Sequence, residues 1–181
     1  MDYARGLGIR GKRDGYLENY RYIITWAVGH LVELNEPQDY TPAWKKWRFE
    51  NLPVIPDTYR YKPIKKTAKQ LTIIRKLLSE KNIAKIVVAT DAGREGEVIA
   101  RTVLPAARPG KMIKIYRFWT RQALTPAVVK SQMNSLNPAT AYDRLWDAGR
   151  ARQIADWLVG MNGSRAATIR LKDLFSIGRV Q

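Results

Sequence analysis

The chain has 181 residues, 45% of them hydrophobic, enough for one full domain or for one domain with part of a second. It carries 32 Lys and Arg against 16 Asp and Glu, a formal net charge of +16, which makes polyanions its natural partners. The absence of cysteine excludes disulfides and thiolate metal sites, and no apolar stretch approaches the roughly 20 residues of a membrane span. The opening MDYARGLGIRGKRDG has no apolar signal core, so the expected location is cytoplasmic, with no membrane partner.

Residues 2–8 read as the end of a helix followed by a Gly- and Arg-rich turn. Aromatic and β-branched residues predict a strand over 20–28; Gly29 and His30 interrupt it, and 31–34 continue it. Residues 35–57 hold four prolines and read as a long irregular segment, a length usually tied to function. Apolar spacing predicts a helix over 63–81, with Pro63 in its first position. A strand over 86–90, a helix over 95–104 and a strand over 112–118 follow. Thr125 and Pro126 cap and open a helix reaching about Leu136, which Asn137-Pro138 breaks. A long helix then covers 139–161, with Asn162-Gly163 as its stop. The alternation predicts an α/β fold with a parallel-type sheet and flanking helices, followed by a helical segment. The boundary falls near 138–140, giving domains 1–139 and 140–181.

Residues 86–97 read IVVATDAGREGE. The strand delivers Asp91 to its carboxyl end, the edge at which open α/β sheets bind ligands. Glu95 and Glu97 follow on the turn and first helical residues. Carboxylates this close repel one another unless a cation sits among them, and oxygen donors suit Mg²⁺. Asp91, Glu95 and Glu97 are therefore candidate metal ligands. Arg94 is a candidate phosphate contact, since a guanidinium can grip two phosphate oxygens. The plain alternative is that Asp91 only caps the helix.

Basic residues flank the cluster. Residues 58–79 and 98–142 each contain seven Lys or Arg and no acid. Arg152 and Asp156 share a helix face, the spacing of an ordinary salt bridge. Arg150, Arg165 and Arg170 add charge nearby, while Trp157, Leu158 and Met161 read as core. His30 is the only histidine, a type more often structural than catalytic when alone. Trp44 and Trp47 lie among Lys45, Lys46 and Arg48, placed either to stack on unpaired bases or to pack the loop onto the core.

The segments TWAVGHLVEL, WKKW with LPVIP, ATDAGREGEVIAR, ARQIADWLVGMNGSRAATIR and SIGRVQ occur in this order. Over residues 15–181 the chain resembles type IA DNA topoisomerases, most strongly their bacterial topoisomerase III branch. ATDAGREGE is similar to the acidic motif of Toprim domains. The resemblance implies a Toprim, Rossmann-like domain over 1–139 that lacks its first strand. It implies the helical beginning of the central DNA-binding domain over 140–181. The implied activity is transient cleavage of one DNA strand through a tyrosine, strand passage and religation, with Mg²⁺ and without ATP. Asp91 matches the first acid of the family's DxDxE pattern and Glu95 the third. Gly93 stands where many relatives have the second Asp, leaving Glu97, water or phosphate to complete the metal site.

By the same resemblance Arg94, Glu95 and His30 form the candidate catalytic set. Arg150, Arg152, Asp156, Arg165 and Gln181 are the candidate DNA contacts. DNA, single-stranded by preference, is the implied partner, with a helicase as the candidate partner of a monomeric parent enzyme. The family's opening EKPS-like strand and its tyrosine domain have no counterpart here. The chain is therefore expected to be a fragment unable to relax DNA alone. Two alternatives stay open: another Toprim enzyme, such as a primase or nuclease, and a non-catalytic basic nucleic-acid-binding module.

Overall fold

A computed structural model describes residues 2–107 and 113–178. Contacts group the chain into two compact units. One joins the residues up to Val32 with Pro63–Trp146; the other joins Glu33–Lys62 with the chain from Asp147 onward. No helix among the described residues is long and apolar enough to cross a membrane.

The first unit opens with helix α1 (Asp2–Gly6) and an antiparallel meander of β1 (Gly11–Arg13), β2 (Tyr16–Glu18) and β3 (Ile23–Thr25). Arg13 pairs with Tyr16, so Asp14 and Gly15 alone make the β1–β2 turn, with Gly15 at φ +79°. Asp-Gly is a strong two-residue hairpin signal because both positions tolerate positive φ. The expected strand over 20–28 shrinks to β3. The Asn19 side chain accepts hydrogen bonds from the backbone N–H of Arg21 (2.9 Å) and Tyr22 (2.8 Å), which bends this stretch into a turn. Residues 31–34 do not continue β3. They contain β4 (Val32–Leu34), which pairs with β5 (Tyr61–Pro63).

Pro63 therefore ends a strand instead of opening a helix. After one 3₁₀ turn, Lys65–Thr67, helix α2 runs over Ala68–Ser79 and buries Gln70, Leu71, Ile74 and Leu77. Next come β6 (Lys85–Val88), α3 (Arg94–Ala107) and β7 (Lys114–Arg117). β6 and β7 are parallel, in register from Lys85↔Lys114 to Val88↔Arg117, with α3 as the crossover. Met112, at the start of the expected strand, lies outside the described residues. Helix α4 (Pro126–Asn134) is capped as expected, the Thr125 hydroxyl accepting from Val128 N–H at 3.3 Å. Asn137-Pro138 forms a short strand, β8, antiparallel to β7. The sheet is thus β6-β7-β8, a parallel pair with an antiparallel edge. Leu31, Leu71, Ile74, Val98, Val103, Phe118 and Val129 are buried in this unit.

Helix α5 (Asp143–Leu171) runs ten residues beyond the expected end at Met161. Asn162 does not stop it, because its side chain is engaged elsewhere. Its oxygen accepts from Val54 N–H (2.7 Å), and its amide donates to the Val54 (3.1 Å) and Leu158 (3.0 Å) carbonyls. Just past the helix Lys172 takes φ 56°, the left-handed conformation common after helix ends.

In the second unit the irregular segment is ordered by short 3₁₀ turns at Pro37–Asp39, Pro42–Lys45 and Phe49–Asn51. The Asn51 amide donates to the carbonyls of Ala43 (3.0 Å) and Lys46 (2.9 Å), and Val54 is fully buried.

Candidate functional site

Between β6 and α3 the chain makes a tight turn. Gly93 N–H donates to the Asp91 carbonyl at 2.9 Å, and the Gly93 carbonyl accepts the first helical bond, from Glu97 N–H at 3.2 Å. The Thr90 hydroxyl donates to the Gly96 carbonyl at 2.8 Å. A Cβ at Gly96 would overlap the Asp91 carbonyl oxygen, so the helix's first turn can lie this close only because residue 96 is glycine. A Cβ at Gly93 would meet open space.

The turn is pinned from below by Arg117 at the end of β7. Its guanidinium donates to the backbone carbonyls of Val88 (3.1 Å), Thr90 (2.7 Å), Phe118 (2.9 Å) and Asp91 (2.6 Å). Its Nε donates to Glu97 Oε1 at 2.5 Å. Arg117 is 1% exposed and Glu97 2%, so this is a buried charge pair. Arg101 Nε takes the second Glu97 oxygen at 3.1 Å, and Arg101 also binds Asp143 at 2.6 Å. Glu97 therefore departs from the expectation that it is a metal ligand. It lies two residues beyond Glu95, about 200° around a helix with 3.6 residues per turn, and so faces the interior. Its oxygens are taken up by two guanidiniums.

Asp91, Arg94 and Glu95 are exposed on the other side of the turn. His30 follows Gly29, at φ +73°, and its Nε2 lies 2.6 Å from Glu95 Oε1. The sole histidine thus joins the acidic motif across 65 residues of sequence. Tyr3 closes the site from α1. Its hydroxyl donates to the Ala89 carbonyl at 3.1 Å, and its ring meets Phe118 edge-on at 5.2 Å. Burial raises the Tyr3 pKa; Arg117 opposes that rise and Asp91 adds to it. Among the described residues no three His, Asp or Glu gather closely enough to hold an ion by themselves. Asp91 and Glu95 are the two exposed carboxylates of this turn, and Glu95 is engaged by His30.

The candidate DNA contacts divide differently. Arg152 and Asp156 are half-exposed on α5 and 3.9 Å apart, a loose ion pair. Arg150 is partly buried near the Tyr61 hydroxyl, which donates to Gln153 at 2.8 Å. Burial raises the Tyr61 pKa, and Arg150 works against it. Arg165 is 4% exposed and donates to the Trp44 carbonyl at 2.7 Å, so its charge is spent inside the protein. Trp157, expected in the core, is partly buried and meets Tyr59 edge-on at 5.9 Å. Gln181 lies outside the described residues. Sequence reasoning missed Arg117 and Tyr3. The available signal was a lone arginine inside the apolar and aromatic run IYRFW.

Residues 140–181 match the family described as DNA topoisomerase. Over 180 residues, 99% of this chain, the sequence is 40% identical to DNA topoisomerase 3 of Staphylococcus haemolyticus. It is 41% identical to the same-named protein of Staphylococcus epidermidis and 43% to that of Bacillus anthracis, again over 99% of the chain. The chain spans about a quarter of the length of these relatives, 25%, 25% and 24% respectively. The clamped acidic turn, the strand and helix that carry it, and the tyrosine beneath it all lie within or beside residues 5–118, which match the Toprim domain, and the chain belongs to the Toprim family.

Proposed function

We propose that this chain is the carboxylate-bearing part of a type IA DNA topoisomerase. Such an enzyme changes DNA topology by transient single-strand cleavage, strand passage and religation. The observation that carries the reading is the turn after β6. It presents Asp91, Arg94 and Glu95 to solvent while buried Arg117 holds its backbone. The identity to proteins named DNA topoisomerase 3 supports the same assignment. On this reading the substrate is DNA, preferentially single-stranded, and the enzyme is cytoplasmic and monomeric.

Each exposed side chain has a task. Arg94 offers paired N–H donors to the oxygens of a backbone phosphate. His30, 2.6 Å from Glu95, hydrogen-bonds that carboxylate and so fixes its position. Asp91 and Glu95 would hold Mg²⁺, which when bound offsets the negative charge of the phosphate being transferred. Glu97 supports them by neutralising Arg117. Arg152 on α5 contributes positive charge along the DNA backbone.

Mn²⁺, titrated into the chain and followed by electron paramagnetic resonance, tests the metal site. One weak site is expected, strengthened by a single-stranded oligothymidylate. Asp91→Asn and Glu95→Gln should each weaken it with the circular dichroism unchanged. Gly93→Asp, whose side chain enters open space, should tighten it. Undiminished Mn²⁺ binding in the Asp91→Asn, Glu95→Gln double variant would overturn the assignment.

A further inference from the structure

The second unit carries a surface strip that the acidic turn does not use. Lys45, Lys46, Trp47, Arg48 and Phe49 follow one another, and all are exposed, Trp47 by 43% and Phe49 by 52%. Trp47 and Phe49 thus present apolar rings among the three cations. Two internal side chains hold the backbone of the strip. Asn51 ties the carbonyls of Ala43 and Lys46 together from one side. Arg165 holds the Trp44 carbonyl from the other, and its guanidinium carbon lies 5.4 Å from the centre of the Trp47 ring. Arg165 is buried, and its Nε has no hydrogen-bond partner among the described residues. A buried cation with an unsatisfied N–H is a costly device for propping a surface loop. Here it places a positive charge against one face of Trp47, a contact that orients the ring.

We propose that Trp47 is a stacking platform for an unpaired base of a single-stranded nucleic acid, with Lys45, Lys46 and Arg48 receiving the adjacent phosphates. The inference rests on the nucleic-acid reading above and adds a site distinct from the acidic turn. The charge pattern selects the ligand: three cations around two exposed rings, with Glu50 as the single acid of the run, suit a chain of alternating phosphates and π-faces. An apolar protein surface would leave those cations unpaired. A duplex would keep its bases stacked on each other and away from the ring.

The test measures the affinity of the intact chain for a fluorescent oligothymidylate by anisotropy across a salt series. Trp47→Ala should weaken binding about 5- to 100-fold with little change in the salt slope, since stacking is not ionic. Trp47→Phe should recover most of the loss, which a folding defect would not. The Lys45→Ala, Lys46→Ala pair should instead flatten the salt slope. On an oligonucleotide of abasic sugars the unsubstituted chain and Trp47→Ala should bind alike. If Trp47→Ala binds oligothymidylate as tightly as the unsubstituted chain, the platform is wrong while the acidic turn's assignment stands. That result would leave the exposed rings as a protein contact. If the unsubstituted chain binds no oligonucleotide at any salt, both readings fall.

Discussion

At the scale of single residues, one member of the pair that matters most, Glu97, was expected to do something else. Glu97 looked like a third metal ligand because it is an acid two positions from another. Helical phase turns it inward, and Arg117 meets it at 2.5 Å with both groups almost wholly buried. Removing Arg117 leaves buried Glu97 with Arg101 alone, and breaking a buried pair costs up to about 3–5 kcal/mol. Arg117→Met should therefore lower the urea midpoint strongly. The double variant Glu97→Leu, Arg117→Met should recover a large part of the loss. Equal losses in the single and double variants would show that the carbonyl contacts of Arg117, not its charge pairing, hold the turn. Asp91, Arg94 and Glu95 were legible from sequence because their spacing after an apolar strand suffices to expose them at its end. The closeness of His30 to Glu95 came from the family resemblance. The partners of Arg117 were not legible, because the register of two parallel strands decides them.

At the scale of elements, glycines set how closely the site is built. Residue 96 sits where any side chain would collide with the Asp91 carbonyl, whereas residue 93 faces open space. Gly96→Ala should destabilise the fold by about 1–3 kcal/mol and weaken divalent-ion binding by displacing Asp91. Gly93→Ser, at the position preceding the helix, should be neutral or slightly stabilising. Thermal melts of the two variants, together with their Mn²⁺ affinities, check this; similar behaviour would mean that the first turn of α3 adjusts freely. The βαβ unit and the capped α4 were legible because apolar period and a Thr-Pro pair are local signals. The misread elements, a strand over 20–28 and helix ends at 63 and 161, were settled by side chains. The turn held by Asn19, the strand position of Pro63 and the engagement of Asn162 with Val54 each overrode a local propensity.

For the molecule as a whole, charge is the dominant quantity. A net charge of +16 on 181 residues predicts binding to single-stranded DNA that weakens steeply with salt. The log–log slope should be about −0.7 for each phosphate neutralised. Filter binding from low to moderate ionic strength measures it, and a flat response would remove the electrostatic account. The overall α/β character was legible from the alternation of elements. The discontinuous grouping was not, since nothing local joins residues 33–62 to the final helix.

That grouping has a consequence for synthesis. The carboxamide of Asn162 satisfies the backbone of Val54 across 108 residues of sequence. A chain made from its amino terminus must therefore carry the segment containing Trp44 and Val54 without its partner helix until much later. Contacts between such distant residues close slowly, and the waiting surface is exposed meanwhile.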